Sequence, residues 1–212
     1  MLDKTKIVQH RLKSSQYFQE SSKKHQIYLH HTAGNSDATS VARYWDSTSE
    51  RVATAFVIGG MGTIVQCYPS IEWAYHLGLN QKAFNGLPYK NLDKSSIGIE
   101  VCNWGMLKEK DGKFYNYVNR IVDSSEVTEL DNPFKGHKFW HKYTDKQIDS
   151  LKNLIVYLCD KYDISNEYND DIWGITERAF KLENGIFTHN SVRKDKSDMY
   201  PCPRVIEMLK NL

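Results

Sequence analysis

Apolar and polar positions change rhythm several times along this chain, and each change predicts an element. Residues 26–31, Gln26-Ile27-Tyr28-Leu29-His30-His31, are rich in β-branched and aromatic side chains and stop at Thr32-Ala33-Gly34-Asn35, which predicts a strand ended by a turn. Ser36 or Asp37 then offers a cap for a helix through Val41, Tyr44 and Trp45, which are apolar at helical spacing. Residues 54–58 and 63–68 flank Gly59-Gly60-Met61-Gly62 and predict a hairpin. Residues 96–102 predict another strand, whose apolar positions alternate poorly, as a central strand's do. Thr144 with Gln147 is a capping-box pattern, and it opens a helix whose stripe is Ile148, Leu151, Leu154, Ile155, Leu158 and Tyr162. Residues 185–188 predict a short strand running into His189, and a last helix follows Pro203 with Val205, Ile206 and Leu209. Residues 105–142 differ from all of these, with mixed charge, short aromatic clusters and Gly112, Pro133 and Gly136, and read as an insertion. Outside it, strands and helices take turns. The expected fold class is therefore α/β, a central mixed sheet flanked by helices, in a single domain over 26–212 with a basic segment, 1–25, before it.

Composition narrows the function. Hydrophobic residues make up 40% of the 212 and charged ones 25%, which excludes a disordered or collagenous chain. A net charge of +2 implies no polyanionic partner, and no phosphate loop or aromatic-basic sheet motif points to nucleic acid. Six basic residues stand against two acidic ones within residues 1–25, read as a solvated surface. Residues 52–71 are uncharged, but the glycine cluster and Pro69 make them two strands and a turn, so no membrane span is expected. Cys67, Cys102, Cys159 and Cys202 are widely spaced, which reads as free thiols in a reducing compartment. The N-terminus lacks a secretory pattern, so the expected product is a soluble monomer, cytoplasmic until released or exported.

Candidate chemistry gathers at predicted strand ends. Side chains alternate across a strand, so only one of His30 and His31 can face a given pocket. His189 ends another strand, and Lys196-Ser197-Asp198 follows within ten residues. Two histidines with a carboxylate or thiolate form the ligand set of a catalytic zinc site. His30 and His189 fill two places. On spacing alone, Asp198 and Cys202 both qualify for the third.

These residues carry a resemblance. Ile27-Tyr28-Leu29-His30-His31-Thr32-Ala33 is similar to the opening strand of the zinc-dependent type 2 N-acetylmuramoyl-L-alanine amidases. Phe56-Val57-Ile58 with Gly62-Thr63-Ile64-Val65-Gln66 resembles that family's hairpin, and Trp73-Ala74-Tyr75-His76-Leu77-Gly78 its Ala/His-x-Gly segment. Ser95-Ser96-Ile97-Gly98-Ile99-Glu100-Val101, Tyr143-Thr144-Asp145-Lys146-Gln147 and the closing His189…Lys196-x-Asp198 follow in the family's order. The matches span residues 26 to 204 and leave 1–25 and 105–142 uncovered. The family's usual tyrosine before the hairpin is missing, with Thr54 and Ala55 in its place, and its Asp-Pro-Gly ending is replaced by Asp198-Met199-Tyr200-Pro201.

The resemblance implies an amidase fold and a zinc ion on His30, His189 and Asp198, with Cys202 as the alternative third ligand. It implies Glu100 as the acid–base group and Lys196 as the stabiliser of the oxyanion. His76, Asn80 and Trp73 are the expected contacts to substrate, which would be peptidoglycan or a muropeptide. A non-catalytic peptidoglycan-binding module is the alternative, against which the retained Glu100 and Lys196 speak.

Overall fold

The computed structural model describes residues 7–34, 36–79 and 90–212. A six-stranded mixed sheet forms its centre, in the order β1-β4-β3-β5-β2-β11. The strands are β1 (Val8–Gln9), β2 (Gln26–His31), β3 (Phe56–Ile58), β4 (Ile64–Gln66), β5 (Ser96–Val101) and β11 (Gly185–Thr188). Strands β11, β2, β5 and β3 run parallel, and only the β3–β4 hairpin is antiparallel. All six residues of β2 are buried, as expected of a strand covered on both faces. The helices are α1 (Ala38–Ser47), α2 (Lys90–Ser95), α3 (Asp145–Tyr162), α4 (Glu177–Phe180) and α5 (Pro203–Lys210). Asp37 caps α1, and Thr144 and Gln147 close the expected capping box on α3. Such a cap contributes about 1 kcal/mol, and here Thr144 Oγ1 also donates to the Gly60 carbonyl at 2.8 Å, tying the helix start to the hairpin turn.

Two expectations change. Residues 7–25, read as a solvated surface, are in part built into the fold. Val8–Gln9 adds a strand to the sheet edge, Leu12 and Tyr17 enter the core, and Lys24 is buried with its ammonium on the Glu72 and Lys94 carbonyls at 2.9 and 2.8 Å. Strand β5 alternates cleanly. Ile97, Ile99 and Val101 share one face; Ser96, Gly98 and Glu100 share the other, which is the face of the candidate site.

The insertion is a sheet of its own, in the order β8-β7-β6-β10-β9 and antiparallel throughout. Its strands are β6 (Met106–Lys110), β7 (Lys113–Tyr115), β8 (Ile121–Val122), β9 (Val127–Phe134) and β10 (His137–His141). Two of its hairpins turn on Asp111-Gly112 and Lys135-Gly136, all four with positive φ between 50° and 83°. That is the two-residue turn that matches strand twist. Buried Trp140 joins this sheet to the domain by stacking on Tyr200, 4.7 Å between centroids. No helix of the described residues is long and apolar enough to cross a membrane.

Candidate active site

Parallel strands carry their ends to one edge of a sheet, where open α/β sheets bind ligands. His30 lies at that end of β2, Glu100 at that end of β5, and His189 directly after β11. His30 and Glu100 are register partners on neighbouring parallel strands, so their side chains share a face. His31 points the other way, where its Nδ1 meets the Tyr143 hydroxyl at 3.0 Å.

Three ligand atoms converge there. His30 Nδ1 lies 3.1 Å from His189 Nδ1 and 3.1 Å from Asp198 Oδ2, and His189 Nδ1 lies 2.9 Å from the same oxygen. A tetrahedral ion with bonds of about 2.0–2.1 Å needs ligand separations of roughly 3.3 Å, so this triangle fits one to within a few tenths of an ångström.

The outer nitrogens of both rings decide what the inner ones present. Ser96 Oγ donates to the Leu92 carbonyl at 2.5 Å, so it accepts from His76 Nε2 at 2.9 Å. His76 Nδ1 is then the acceptor for His30 Nε2–H at 3.0 Å, which leaves the His30 Nδ1 lone pair facing the triangle. His189 Nε2–H donates to the Leu77 carbonyl at 2.9 Å, with the same result. Asp93 on α2 accepts from the amides of His76 and Leu77 at 2.8 and 3.0 Å, so one buried carboxylate holds the backbone behind both rings. Gly98 completes the frame, because a Cβ there would lie 3.1 Å from His76 Cγ and 2.7 Å from Thr54 Cγ2. Outward N–H bonds of this kind orient metal-binding histidines and make them better ligands.

Electrostatics agree. Burial pushes His30 down to about 4, so it is neutral at pH 7 despite the opposing pull of Asp198. Burial works to raise the Asp198 carboxyl, but its contacts with the His189 and His30 rings outweigh it and hold the group well below the carboxylate range. Two lone pairs and a carboxylate within hydrogen-bond distance of each other form a donor set that suits a cation. Glu100 is half-buried on the wall of the same cleft; burial first, and then the Asp198 carboxylate, raise it to about 8. Lys196 lines the cleft as well, and the insertion reaches its loop: Lys135 Nζ donates to the Lys194 carbonyl at 2.9 Å and to the Lys196 carbonyl.

The structure thus brings together His30, His189, Asp198, Glu100 and Lys196. Cys202 lies apart from the triangle, buried at the head of α5. Trp73, expected at the substrate, is engaged elsewhere. The Trp73 ring stacks on Phe18 at 3.9 Å and its Nε1 donates to Glu20, which spends it on the N-terminal segment. His76, also expected at the substrate, lines the cleft, and its ring is hydrogen-bonded between His30 and Ser96. Asn80 lies outside the described residues. The sequence reading missed Ser96, Asp93 and Lys135; the polar face of β5 was the signal for the first, while the other two depend on contacts distant in sequence.

Comparisons with known proteins follow this geometry. A family model described as N-acetylmuramoyl-L-alanine amidase matches residues 20–203. Among curated proteins, none matches. Of solved structures, PlyL superposes with a TM-score of 0.56 at 15% identity, covering 96% of this chain and 96% of that one. A mutant endolysin from Bacillus subtilis gives 0.54 at 18%, covering 100% of this chain and 98% of that one. The N-acetylmuramoyl-L-alanine amidase LysC from Clostridium intestinale URNW gives 0.51 at 17%, covering 97% and 95%. These likenesses show the same fold, a mixed sheet flanked by helices. With the family model spanning most of its length, the chain belongs to the N-acetylmuramoyl-L-alanine amidase family of hydrolases.

Proposed function

We propose that the protein hydrolyses the amide between N-acetylmuramic acid and L-alanine in peptidoglycan, with zinc on His30, His189 and Asp198, and that the cell wall is where it acts. The observation that carries this reading is the triangle of two Nδ1 lone pairs and one carboxylate oxygen beside Glu100. When bound, zinc supplies a Lewis acid and lowers the pKa of a coordinated water to about 7. Glu100 takes the attacking water's proton and returns it to the leaving L-alanine nitrogen, a task suited to a carboxyl poised near neutrality. Lys196, steadied through its backbone by Lys135, places its ammonium where negative charge grows on the carbonyl oxygen. His76 and Ser96 move no proton in the reaction; they keep His30 in one tautomer.

The test is digestion of purified sacculi. The expected products are stem peptides with a free L-alanine amine and uncut glycan strands, with activity lost to a chelator and restored by zinc. New reducing sugar ends, or activity that survives metal removal, overturn the mechanism. Saturable binding to sacculi without cleavage would make the protein a binding module.

A further inference from the structure

The cleft does not end at the metal triangle. From Glu100 it continues as a groove of about 550 Å³, with Ser40, Val41, Tyr44 and Trp45 of α1 on one wall and Tyr117 of the insertion also lining it. Thr32, Ala33, Trp45 and Glu100 line both this groove and the pocket that holds the triangle, so the two are continuous.

Two observations single the groove out. Tyr44 is 67% exposed and Tyr117 60%, which leaves two large rings in water on separate elements of one groove. Tyr117 is also held in place by a built turn. Asn116 is buried, and its Oδ1 accepts from the amides of Val118 and Arg120 at 3.2 and 2.9 Å. The Asn116 amide donates to the Arg120 carbonyl at 3.0 Å, and Asn119 closes the turn with a φ of 58°. Trp104 sits beside the Tyr117 ring, 6.3 Å between centroids. A ring fixed in this way meets a ligand with little further loss of freedom.

The lining also says what the ligand is. Among the described residues Glu100 is its one charged group; the rest are hydroxyl-bearing, aromatic and small apolar residues. Lys196 lines the other pocket, and its ammonium suits the carboxylate-bearing stem peptide. A groove with a single carboxyl, hydroxyls and aromatic rings suits a sugar, which offers apolar C–H faces and uncharged hydroxyl and acetamido groups. We propose that Tyr117 and Tyr44 form a saccharide subsite for an N-acetylhexosamine of the glycan strand adjoining the cleaved muramyl amide, so that the insertion selects glycan-bearing substrate. The location beside a cleaved amide rests on the amidase reading above; the affinity for saccharide does not.

The test has a binding arm and a turnover arm. In the first, an N-acetylglucosamine tetramer is titrated into the full chain and followed by indole fluorescence. Saturable binding is expected in the wild type, weakened roughly 3- to 10-fold by Tyr117→Ala or Tyr44→Ala and restored in Tyr117→Phe. In the second, Tyr117→Ala should raise KM by a similar factor for a disaccharide-peptide while leaving kcat unchanged, with no change for a peptide bearing muramic acid alone. Failure of the wild type to bind the tetramer, or an equal rise in KM for both substrates, overturns the subsite. Tetramer binding that depends on Tyr117 in a protein that cleaves neither substrate supports the saccharide site and defeats the amidase reading instead.

Discussion

The two sheets of this protein divide its work. In the central sheet β2 is buried along its whole length, and the candidate ligand histidines His30 and His189 are each fixed by a hydrogen bond that leaves one tautomer. In the insertion, β6 has one buried residue among five, and the parts nearest the cleft are a turn, a tyrosine and a lysine tip. The difference teaches that chemistry here sits where the backbone cannot shift, while access is shaped where side chains meet solvent. Substitutions on the central sheet should change metal content or kcat. Substitutions on the insertion should change KM, or kcat slightly, and leave the metal alone.

The sharpest way to break that division is to remove a ligand. Asp198→Ala and His189→Ala should lose their metal on dialysis, with activity falling to background, whereas Cys202→Ser should retain one equivalent by elemental analysis. Metal loss from Cys202→Ser with retention in Asp198→Ala would reverse the ligand assignment.

Next in size is Glu100→Gln, which should keep the metal and lose about 10²–10⁴-fold in kcat. The same variant sharpens a pH effect. The Glu100 carboxyl titrates near 8 in the fold against 4.5 as its ordinary value. Between those values the native state holds more protons than the unfolded one, so its contribution is full below about pH 4.5 and lost by about pH 8. Metal-free Glu100→Gln should therefore be more stable than metal-free wild type at pH 8, by about 1–3 kcal/mol, and equal to it at pH 4. Denaturant melts at the two pH values measure this.

Behind the ligands, Ser96→Ala removes the hydroxyl that sets the His76 tautomer, and Gly98→Ala pushes a methyl group against the His76 ring. Each should weaken zinc binding about 10- to 100-fold in competition with a chelator. A KM change at unaltered metal affinity would instead return His76 to the substrate.

The smallest effect belongs to Lys135→Ala. It removes two exposed hydrogen bonds, frees the Lys196 loop from the insertion and should lower kcat by about 10-fold or less, with metal content unchanged. A loss of metal in this variant would show that the two sheets are not separable.

Much of the central sheet was legible in the sequence because its signals are local. The Asp37 cap, the Thr144–Gln147 box and the glycine-rich hairpin all appear where they were expected. The insertion was legible only as a departure, although Asp111-Gly112 is a strong hairpin signal, since short half-exposed strands carry little periodicity. Strand β5 looked irregular because its second face carries Ser96, Gly98 and Glu100 toward the candidate site rather than toward solvent. Trp73 was assigned to substrate because nothing in the linear chain shows that Phe18 waits beside it.

The pairing of His30 with Glu100 across the parallel ladder has a dynamic consequence. Both residues belong to strands hydrogen-bonded on two sides, so their backbone positions are freed only when the sheet itself opens. Amide protons of residues 28–30 and 98–100 should be among the slowest in the molecule to exchange with deuterium, close to the limit set by global unfolding, while those of 116–120 exchange through local opening. A substrate arriving at this cleft then meets a centre that does not flex to receive it, and the adjustment that docking requires falls largely to the ligand.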